Sequence, residues 1–290
     1  MKTLFILILM VVSINFCSSQ SRKLNIVVIG AHPDDDEITS GGTAIKFAKM
    51  GHNVLFVSIT NGDAGHYAMG GGILAKVRTA EALEAAKRYG VSSKVLDNHD
   101  EELMNSLKIR HDLIRIIREW HADVVIGHRP WDYHPDHRTA GTLVQDCSVL
   151  VIVPNVVPDV PPLKVNPVFL YTQDTFKKPI PFQPDIAVDI SDVYTQKVYG
   201  LIAHKSQVFE WLPFIEGKLD EVPKDENKRL EYITNKRKKP ITPEVRASLT
   251  KWYGKEKADK ATDAEAFEIN EYGRIPTEEE IKELFPMLGK

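Results

Sequence analysis

A short apolar run that ends in a cluster of acidic residues constrains this chain more than any other feature. Residues 26–29 (IVVI) are β-branched, which is typical of a parallel strand buried on both faces. The run breaks at Gly30 into a predicted loop, residues 30–42, which carries one imidazole and four carboxylates: His32, Asp34, Asp35, Asp36 and Glu37. Carboxylates this close in sequence repel one another unless a cation or hydrogen-bond donors neutralise them. The segment therefore predicts a metal-binding corner at the carboxyl end of a buried strand.

Strand-like and helix-like segments alternate through the rest of the chain. The predicted strands cover residues 24–29, 53–59, 91–96, 122–127, 149–154 and 168–171, and the predicted helices cover residues 42–49, 76–89, 107–120, 138–150 and 194–211. This order predicts an α/β, three-layer, Rossmann-like fold with a mostly parallel sheet covered by helices on both faces. In such sheets, ligands bind at the carboxyl ends of the strands. The loops at residues 30–42, 60–72 and 128–137 are therefore expected to meet in one site.

The first nineteen residues form a separate unit in composition. Lys2 precedes an apolar run at residues 4–14, and small residues follow at positions 17–19. This is the layout of a secretory signal peptide, and the run is too short to anchor a protein across a bilayer. We expect cleavage near residue 19, export to the periplasm or the exterior, and no transmembrane segment afterwards. Lipid attachment at Cys17 is not expected, because the bulky Phe16 precedes it.

Residues 20–290 are expected to form a single domain with a charged, helical C-terminal region. The whole chain is 43% apolar and 27% charged, which is an ordinary globular composition, and its formal net charge of -3 gives no electrostatic case for nucleic acid as a partner. Cys147 is the only cysteine left after cleavage, so a packed core and not a disulfide must stabilise the domain. The basic run at residues 236–239 is interpreted as a solvated face.

A second motif, WDYHPDHR at residues 131–138, places His134 and His137 three residues apart. Zinc accepts histidine nitrogen and aspartate oxygen, and a hydrolytic zinc keeps three protein ligands with one position open for water. Two histidines and a carboxylate from two separate loops supply such a set. Because the triplet HPD follows a predicted strand in both motifs, the pattern favours one shared metal site.

Together, the two motifs resemble those of the LmbE-like, or PIG-L, family of zinc-dependent de-N-acetylases, which act mainly on N-acetylglucosamine-type amides. The family's first signature is AHPDDE followed four residues later by GG. Here AHPDDDE at residues 31–37 precedes Gly41-Gly42, with Asp36 in place of the usual glutamate. The second signature, HPDH, is intact at residues 134–137. Weaker matches extend the resemblance over nearly the whole mature chain: TNGDAG at 60–65, Arg78 with Glu81, HKSQ at 204–207 and AEAFE at 264–268.

The resemblance implies a role for each residue at the metal. His32, Asp35 and His137 would hold one zinc ion. Asp34 would be the general base that takes a proton from the metal-bound water. His134 would polarise the developing oxyanion or pass a proton to the leaving amine. These roles match what amide hydrolysis needs, namely an activated water, a stabilised oxyanion and a protonated leaving group.

The resemblance also implies an N-acetylated amino-sugar substrate, with contacts from Arg78, Asp100 and Tyr133. From the residues alone, Arg78 fits equally well as half of a surface ion pair with Glu81 or Glu84. Asp36 and Glu37 are expected to be structural, and so is His204. The oligomeric state is left open, with a homo-oligomer as one option.

Two other functions use the same residue types. A non-haem iron oxygenase would take His32, Asp34 and His137 as a two-histidine, one-carboxylate triad, although such enzymes generally sit on antiparallel β scaffolds. A non-catalytic sugar-binding protein could keep the fold without the reaction. A dinucleotide-binding site is excluded, because the turn after the first strand lacks the glycine-rich pattern and its acids would repel a pyrophosphate.

Overall fold

The computed structural model describes residues 22–289 and places a seven-stranded sheet at the centre of the molecule. The strands are β1 (Asn25–Gly30), β2 (Asn53–Ser58), β3 (Ser92–Val95), β4 (Val124–Gly127), β5 (Val168–Thr172), β6 (Ile186–Asp189) and β7 (Ala264–Ile269). They lie in the order β3-β2-β1-β4-β5-β7-β6. The first five strands pair parallel with one another, and β7 pairs antiparallel with both β5 and β6. The predicted α/β fold with a mostly parallel sheet is confirmed.

Helices follow most of the strands and cover the sheet. They are α1 (Asp35–Lys49), α2 (Gly71–Tyr89), α3 (Leu107–Glu119), α4 (Pro135–Leu150), α5 (Tyr194–Leu201), a π-helix (Ser206–Trp211), α6 (Leu212–Ile215), α7 (Glu226–Arg237), α8 (Pro243–Tyr253), α9 (Lys255–Lys260) and α10 (Glu278–Leu284), with a short 3-10 turn at Leu219–Glu221. Among the residues described, no helix combines the length and the apolar character needed to cross a bilayer.

Alternate residues of the central strands face two separate cores. Ile26 and Val28 of β1 pack on one face with Phe47 of α1 and residues of α10. Val27 and Ile29 pack on the other face with residues of α3 and α4. Because successive side chains of a strand point to opposite faces, a strand buried on both sides must be apolar throughout. This is why β1, β2 and β4 were readable as continuous apolar runs.

The strand order explains where a ligand can bind. The chain moves outward from β1 through β2 to β3, then returns to lay β4 against the other side of β1. In an open α/β sheet, such a reversal leaves a crevice at the carboxyl ends of the two central strands. Gly30 ends β1 and Gly127 ends β4, so the segments that follow them meet at this crevice.

The structure corrects several predicted boundaries. Helix α1 begins at Asp35 and not at residue 42, so Asp35, Asp36 and Glu37 lie in its first turn and not in a long loop. Helix α4 begins at Pro135, inside the HPDH motif. Residues 149–154 are not a strand, because α4 continues to Leu150 and a turn follows. Strands β6 and β7 were missed, and the predicted signal peptide lies outside the described residues.

Candidate metal centre and active site

Three donor groups converge where β1 and β4 end. Nδ1 of His32 lies 3.2 Å from Nε2 of His137. The Asp35 carboxylate lies against both rings, with Oδ2 at 3.3 Å from the His32 nitrogen and Oδ1 at 3.4 Å from the His137 nitrogen. For metal–ligand bonds of about 2.0–2.1 Å, two ligands of a tetrahedral ion are about 3.3 Å apart. The predicted set of His32, Asp35 and His137 therefore has the spacing of zinc ligands.

Carboxylates on the outer side of the two rings fix which nitrogens face the centre. Asp132 Oδ1 lies 3.2 Å from Nδ1 of His137, and Asp100 Oδ1 lies 2.9 Å from Nε2 of His32. A second carboxylate, Asp136, lies 3.4 Å from the same His32 nitrogen. When the outer nitrogen carries the proton that such a carboxylate accepts, the inner nitrogen presents a lone pair to a metal. Both imidazoles are therefore oriented as ligands.

The charge balance of the cluster also calls for a cation. Burial lowers the pKa of His137, but the carboxylates of Asp35 and Asp132 outweigh it and raise the pKa to about 10. Burial raises the pKa of the Asp35 carboxyl. The neighbouring His137 and His128 outweigh burial and hold that pKa well below its usual range. The centre thus holds a buried carboxylate beside the His137 imidazole, which retains a proton strongly. A divalent cation supplies that charge without the protons.

Further donor groups surround the three predicted ligands. Donor atoms lie within 4.8 Å of one another in three overlapping sets: His32, His134 and His137; Asp35, His128 and His137; His32, Asp100 and Asp136. His128 follows β4 directly; its Nε2 lies 3.2 Å from Asp35 Oδ2, and its ring stacks on His137 with centroids 4.2 Å apart. The predicted ligands are drawn from the first two sets. In the third set, Asp100 and Asp136 contact the outer nitrogen of His32 and orient its ring.

Asp34 lies beside the centre but faces a different partner from Asp35. Its backbone has φ 136°, a conformation that residues other than glycine rarely adopt, and it is the residue that precedes α1. The Asp34 carboxylate is buried, with Oδ1 3.6 Å from the guanidinium of Arg78. Burial raises the pKa of Asp34 and Arg78 opposes that rise. A carboxylate with a raised pKa beside a metal corner suits proton transfer.

Arg78 is a buried residue and not half of a surface ion pair. Only 2% of it is exposed, and its guanidinium donates to the carbonyl oxygen of Pro33 as well as contacting Asp34. Glu81, one of the proposed surface partners, instead accepts hydrogen bonds from the backbone and hydroxyl of Ser206. The surface alternative was therefore wrong. Arg78 holds the turn that carries Asp34.

His134 has the geometry of a hydrogen-bond donor. It is the N-cap of α4, and its Nδ1 accepts the backbone N–H of Asp136 at 3.2 Å. With Nδ1 used as an acceptor, the neutral ring carries its proton on Nε2. That nitrogen lies 3.3 Å from Glu101 Oε1, and the ring meets His32 edge to face with centroids 4.6 Å apart. His134 therefore presents an N–H next to the predicted ligands.

The other two predicted substrate residues lie in the same region. Asp100 contacts His32, and Oδ2 of Asp100 accepts the backbone N–H of Gly65. Tyr133 is 71% exposed, and its ring meets His134 and His137 edge to face. Both residues line a cavity of about 770 Å³ that includes the donor cluster. Their contact with substrate stays a prediction.

Three residues at the centre were not singled out from the sequence. They are His128, Asp132 and Asp136. His128 could have been found as the first residue after a buried strand, and the two aspartates stand inside the motif that was read for its histidines. His204, predicted to be structural, is fully buried with Nε2 3.2 Å from Glu37 Oε1.

The iron-type triad is not assembled in this structure. That alternative required Asp34 to face the imidazoles of His32 and His137. The carboxylate oxygens near the inner nitrogens, Nδ1 of His32 and Nε2 of His137, belong to Asp35. Asp34 contacts Arg78 instead. The sheet is also mostly parallel, in contrast to the antiparallel scaffolds that such enzymes generally use.

Comparison with known sequences places these motifs in a family. Residues 27–148 match the family model described as GlcNAc-PI de-N-acetylase, PIG-L. The diacetylchitobiose deacetylase of Thermococcus kodakarensis is 30% identical over 207 residues, which cover 66% of this chain and 74% of that protein. A probable N-acetyl-alpha-D-glucosaminyl L-malate deacetylase 2 of Bacillus cereus is 26% identical over 206 residues, which cover 67% of this chain and 89% of that protein.

Solved structures agree with the fold. The N,N'-diacetylchitobiose deacetylase from Pyrococcus horikoshii matches with a TM-score of 0.63 and 26% identity, covering 85% of this chain and 84% of that one. GalB, a 4-carboxy-2-hydroxymuconate hydratase from Pseudomonas putida, matches with the same TM-score at 20% identity, covering 88% and 99% of the two chains. The match to GalB shows the fold alone. The family assignment rests on the sequence relatives and on the two motifs. The chain belongs to the PIG-L, or LmbE-like, family.

Proposed function

We propose that this protein is a zinc-dependent hydrolase that removes the N-acetyl group from an N-acetylglucosamine-type amino sugar or glycoconjugate. The observation that carries the proposal is the convergence of His32, Asp35 and His137 at 3.2–3.4 Å, the spacing of tetrahedral zinc ligands. Relatives described as deacetylases of acetylated amino sugars support the reaction and the substrate class. GalB is described as a hydratase and has a similar fold, so the fold alone decides neither the reaction nor the substrate class.

The residues around the centre divide the work of amide hydrolysis. Bound zinc would polarise the amide carbonyl and make a water molecule more acidic. Asp34 accepts the proton of the attacking water, and Arg78 holds its carboxylate in place. His134 donates a hydrogen bond from Nε2–H to the oxygen on which negative charge develops. The proton that Asp34 took from the water then passes to the departing nitrogen. The N–C bond of the acetamide breaks, acetate leaves, and the sugar keeps a free amine.

The proposal is tested with a panel of N-acetylated sugars and one variant. Zinc-loaded protein should release acetate and free amine from at least one sugar. Asp34→Asn should lower kcat by about 10²–10⁴-fold, the usual contribution of a positioned general base, without loss of bound zinc. Asparagine has nearly the same shape as aspartate, so the substitution should leave the backbone at position 34 in its native conformation.

The control for this test is Asp112→Asn, a surface aspartate on α3 that pairs with Lys108. It should retain full activity. Wild-type kinetics in Asp34→Asn with zinc in place would remove Asp34 as the base. Iron in the purified protein, oxygen uptake and no acetate release would overturn the deacetylase itself.

We also propose that residues 1–19 direct export and are removed, leaving residues 20–290 as one catalytic domain. The support is the sequence pattern of the first nineteen residues. Expression of the full chain in a bacterial host, followed by mass measurement of the exported protein, tests the proposal. A protein retained in the cytoplasm with Met1 or Lys2 at its N-terminus would contradict it.

A further inference from the structure

The basic run at residues 236–239 is split between two environments. Lys236 pairs with Glu216 at 2.7 Å, and Lys238 lies 3.7 Å from Asp263. Arg237 and Lys239 instead line the cavity that contains the donor cluster. Helix α7 ends at Arg237, and Lys238 is extended with φ -66° and ψ 124°. Neighbouring side chains of an extended segment point to opposite sides, so the run cannot be a uniformly solvated face.

Arg237 and Lys239 differ from the other cations of the cavity. Of its five lysine and arginine residues, three are paired: Arg78 with Asp34 at 3.6 Å, Arg129 with Asp174 at 3.2 Å, and Lys197 with Glu265 at 2.7 Å. Within residues 22–289, neither Arg237 nor Lys239 has a carboxylate oxygen within 4.0 Å, and neither side chain donates a hydrogen bond to protein. Half-buried Arg237 and exposed Lys239 are thus the two cations of the cavity lining that have no carboxylate partner among the described residues.

Two acidic residues of the cavity lining, Asp263 and Glu265, already have partners. Glu265 accepts from Lys197 and from the backbone N–H groups of Gly42 and Thr43. Asp263 accepts the Thr262 hydroxyl at 2.7 Å and lies near Lys238. The positive charge of Arg237 and Lys239 is therefore not balanced locally. The metal corner has the opposite character, because several aspartate carboxylates cluster there.

We propose that Arg237 and Lys239 bind an anionic group, a carboxylate or a phosphate, on the same substrate whose acetamide lies at the metal corner. The inference rests on the proposed function and names the substrate class as acidic amino-sugar conjugates. An arginine fork and a lysine ammonium are suited to both anions. The basic pair and the donor cluster line the same cavity of about 770 Å³, which is large enough for a ligand bigger than one sugar ring.

Substrates with and without the anion test the proposal. Activity is measured on N,N'-diacetylchitobiose, which is neutral, on N-acetylglucosaminyl-N-acetylmuramic acid, which carries a carboxylate, and on N-acetylglucosamine 1-phosphate. The double variant Arg237→Gln, Lys239→Gln should lower kcat/KM about tenfold or more for at least one acidic substrate, mainly through KM, since charge-assisted hydrogen bonds are lost. The neutral substrate should change by less than about twofold, since it makes no such bond. The responding substrate identifies the anion.

The control variant removes two positive charges from outside the cavity lining. Lys236→Gln, Lys251→Gln breaks exposed pairs with Glu216 and Glu278 and should leave every substrate unaffected. Lys238 is not substituted in the control, because it lies near Asp263, which lines the cavity. Equal losses on acidic and neutral substrates, or no loss on either acidic one, would overturn the proposal.

Calorimetric titration with inorganic phosphate separates this inference from the proposed function. Phosphate should bind the double variant at least about threefold more weakly than the control, since two charged donors are missing. Unchanged phosphate binding would count against the basic pair even if deacetylation is observed. Zinc-loaded protein that hydrolyses none of the substrates would instead remove the proposed function.

Discussion

Two adjacent aspartates, Asp34 and Asp35, face different partners because the backbone turns sharply between them. Asp34 has φ 136° and precedes α1, whereas Asp35 is the first residue of that helix. The turn sends the Asp35 carboxylate to the imidazoles and the Asp34 carboxylate to Arg78. Strained backbone of this kind persists only where surrounding contacts fix it, as the Arg78 hydrogen bond to Pro33 does here.

Asp132 is expected to control metal affinity through the ring of His137. Asp132→Asn removes the charged acceptor that fixes the proton on Nδ1 of His137. Loss of such an outer carboxylate typically weakens metal binding by about 10–100-fold. We therefore expect that drop in zinc affinity, measured by competition with a chromogenic chelator, with activity restored at high zinc.

Asp123→Asn is the matched control for this change. The Asp123 side chain is 15% exposed, against 11% for Asp132, and it accepts the backbone N–H of Asn25 at the opposite end of β1. It should keep the zinc affinity of the unmodified protein. If Asp132→Asn binds zinc equally well, the ring of His137 is held by other contacts.

The sequence predicted the metal ligands better than it predicted the residues that orient and hold them. His32, Asp35 and His137 stand in two motifs whose residue types already suit zinc, and the structure brings them together. Asp132 could not be assigned, because its role depends on facing one nitrogen of His137, which is a matter of tertiary geometry. Arg78 was equally ambiguous, since helical spacing gives neighbours along a helix but not burial beneath a loop.

At the level of elements, β7 ties the C-terminal region to the site through two glutamates. Glu265 accepts from Lys197 of α5 and from Gly42 and Thr43 of α1, and Glu268 pairs with Arg129 beyond β4. Gly42 permits the tight packing of α1, because a Cβ there would lie 2.8 Å from Ile190. The GG of the first motif is thus a packing requirement of α1.

These glutamates also explain why β7 was missed. Strands β1, β2 and β4 each contain an uninterrupted apolar run and were predicted from it. In β7, charged residues interrupt the apolar run, and they are tolerated because partners distant in sequence neutralise them. The starts of α1 and α4 were misplaced for a similar reason, since acids and histidines in a first turn read as loop.

Breaking the Glu265–Lys197 pair should destabilise the fold. Glu265→Gln leaves the Lys197 ammonium, whose side chain is only 13% exposed, without its carboxylate. Removing one partner of a buried pair costs about 3–5 kcal/mol, so the free energy of unfolding should fall by roughly that amount. Urea denaturation followed by circular dichroism measures the loss.

Two further variants check the cause of that loss. Glu256→Gln breaks an exposed pair with Lys260 and should cost less than about 1 kcal/mol. Adding Lys197→Met to Glu265→Gln should recover part of the stability, because no unpaired ammonium then remains. A double variant less stable than Glu265→Gln alone would show that the hydrogen bonds of Lys197, including the one to Ile38, matter more than its charge.

For the whole molecule, the centre joins two segments that are distant in sequence. His32 and Asp35 follow β1, whereas His137 lies on α4 beyond β4, and the two segments meet only at the reversal of strand order. A metal ion bound by all three would link these segments in the folded state, and the unfolded chain has no preformed site. Metal binding should therefore stabilise the fold as well as support the reaction.

Metal removal tests this coupling. Zinc at about 100 times its dissociation constant adds about 2.7 kcal/mol to a fold that alone binds it, which for a chain of this size raises Tm by about 5 °C. Chelation of the zinc-loaded protein should lower Tm by that amount, measured by differential scanning fluorimetry. His137→Asn removes one ligand, so its Tm should hardly respond to the chelator. Full loss of zinc with no change in the Tm of the unmodified protein would mean that the two segments are already fixed by Asp100, Asp132 and Asp136, and that the metal serves the reaction alone.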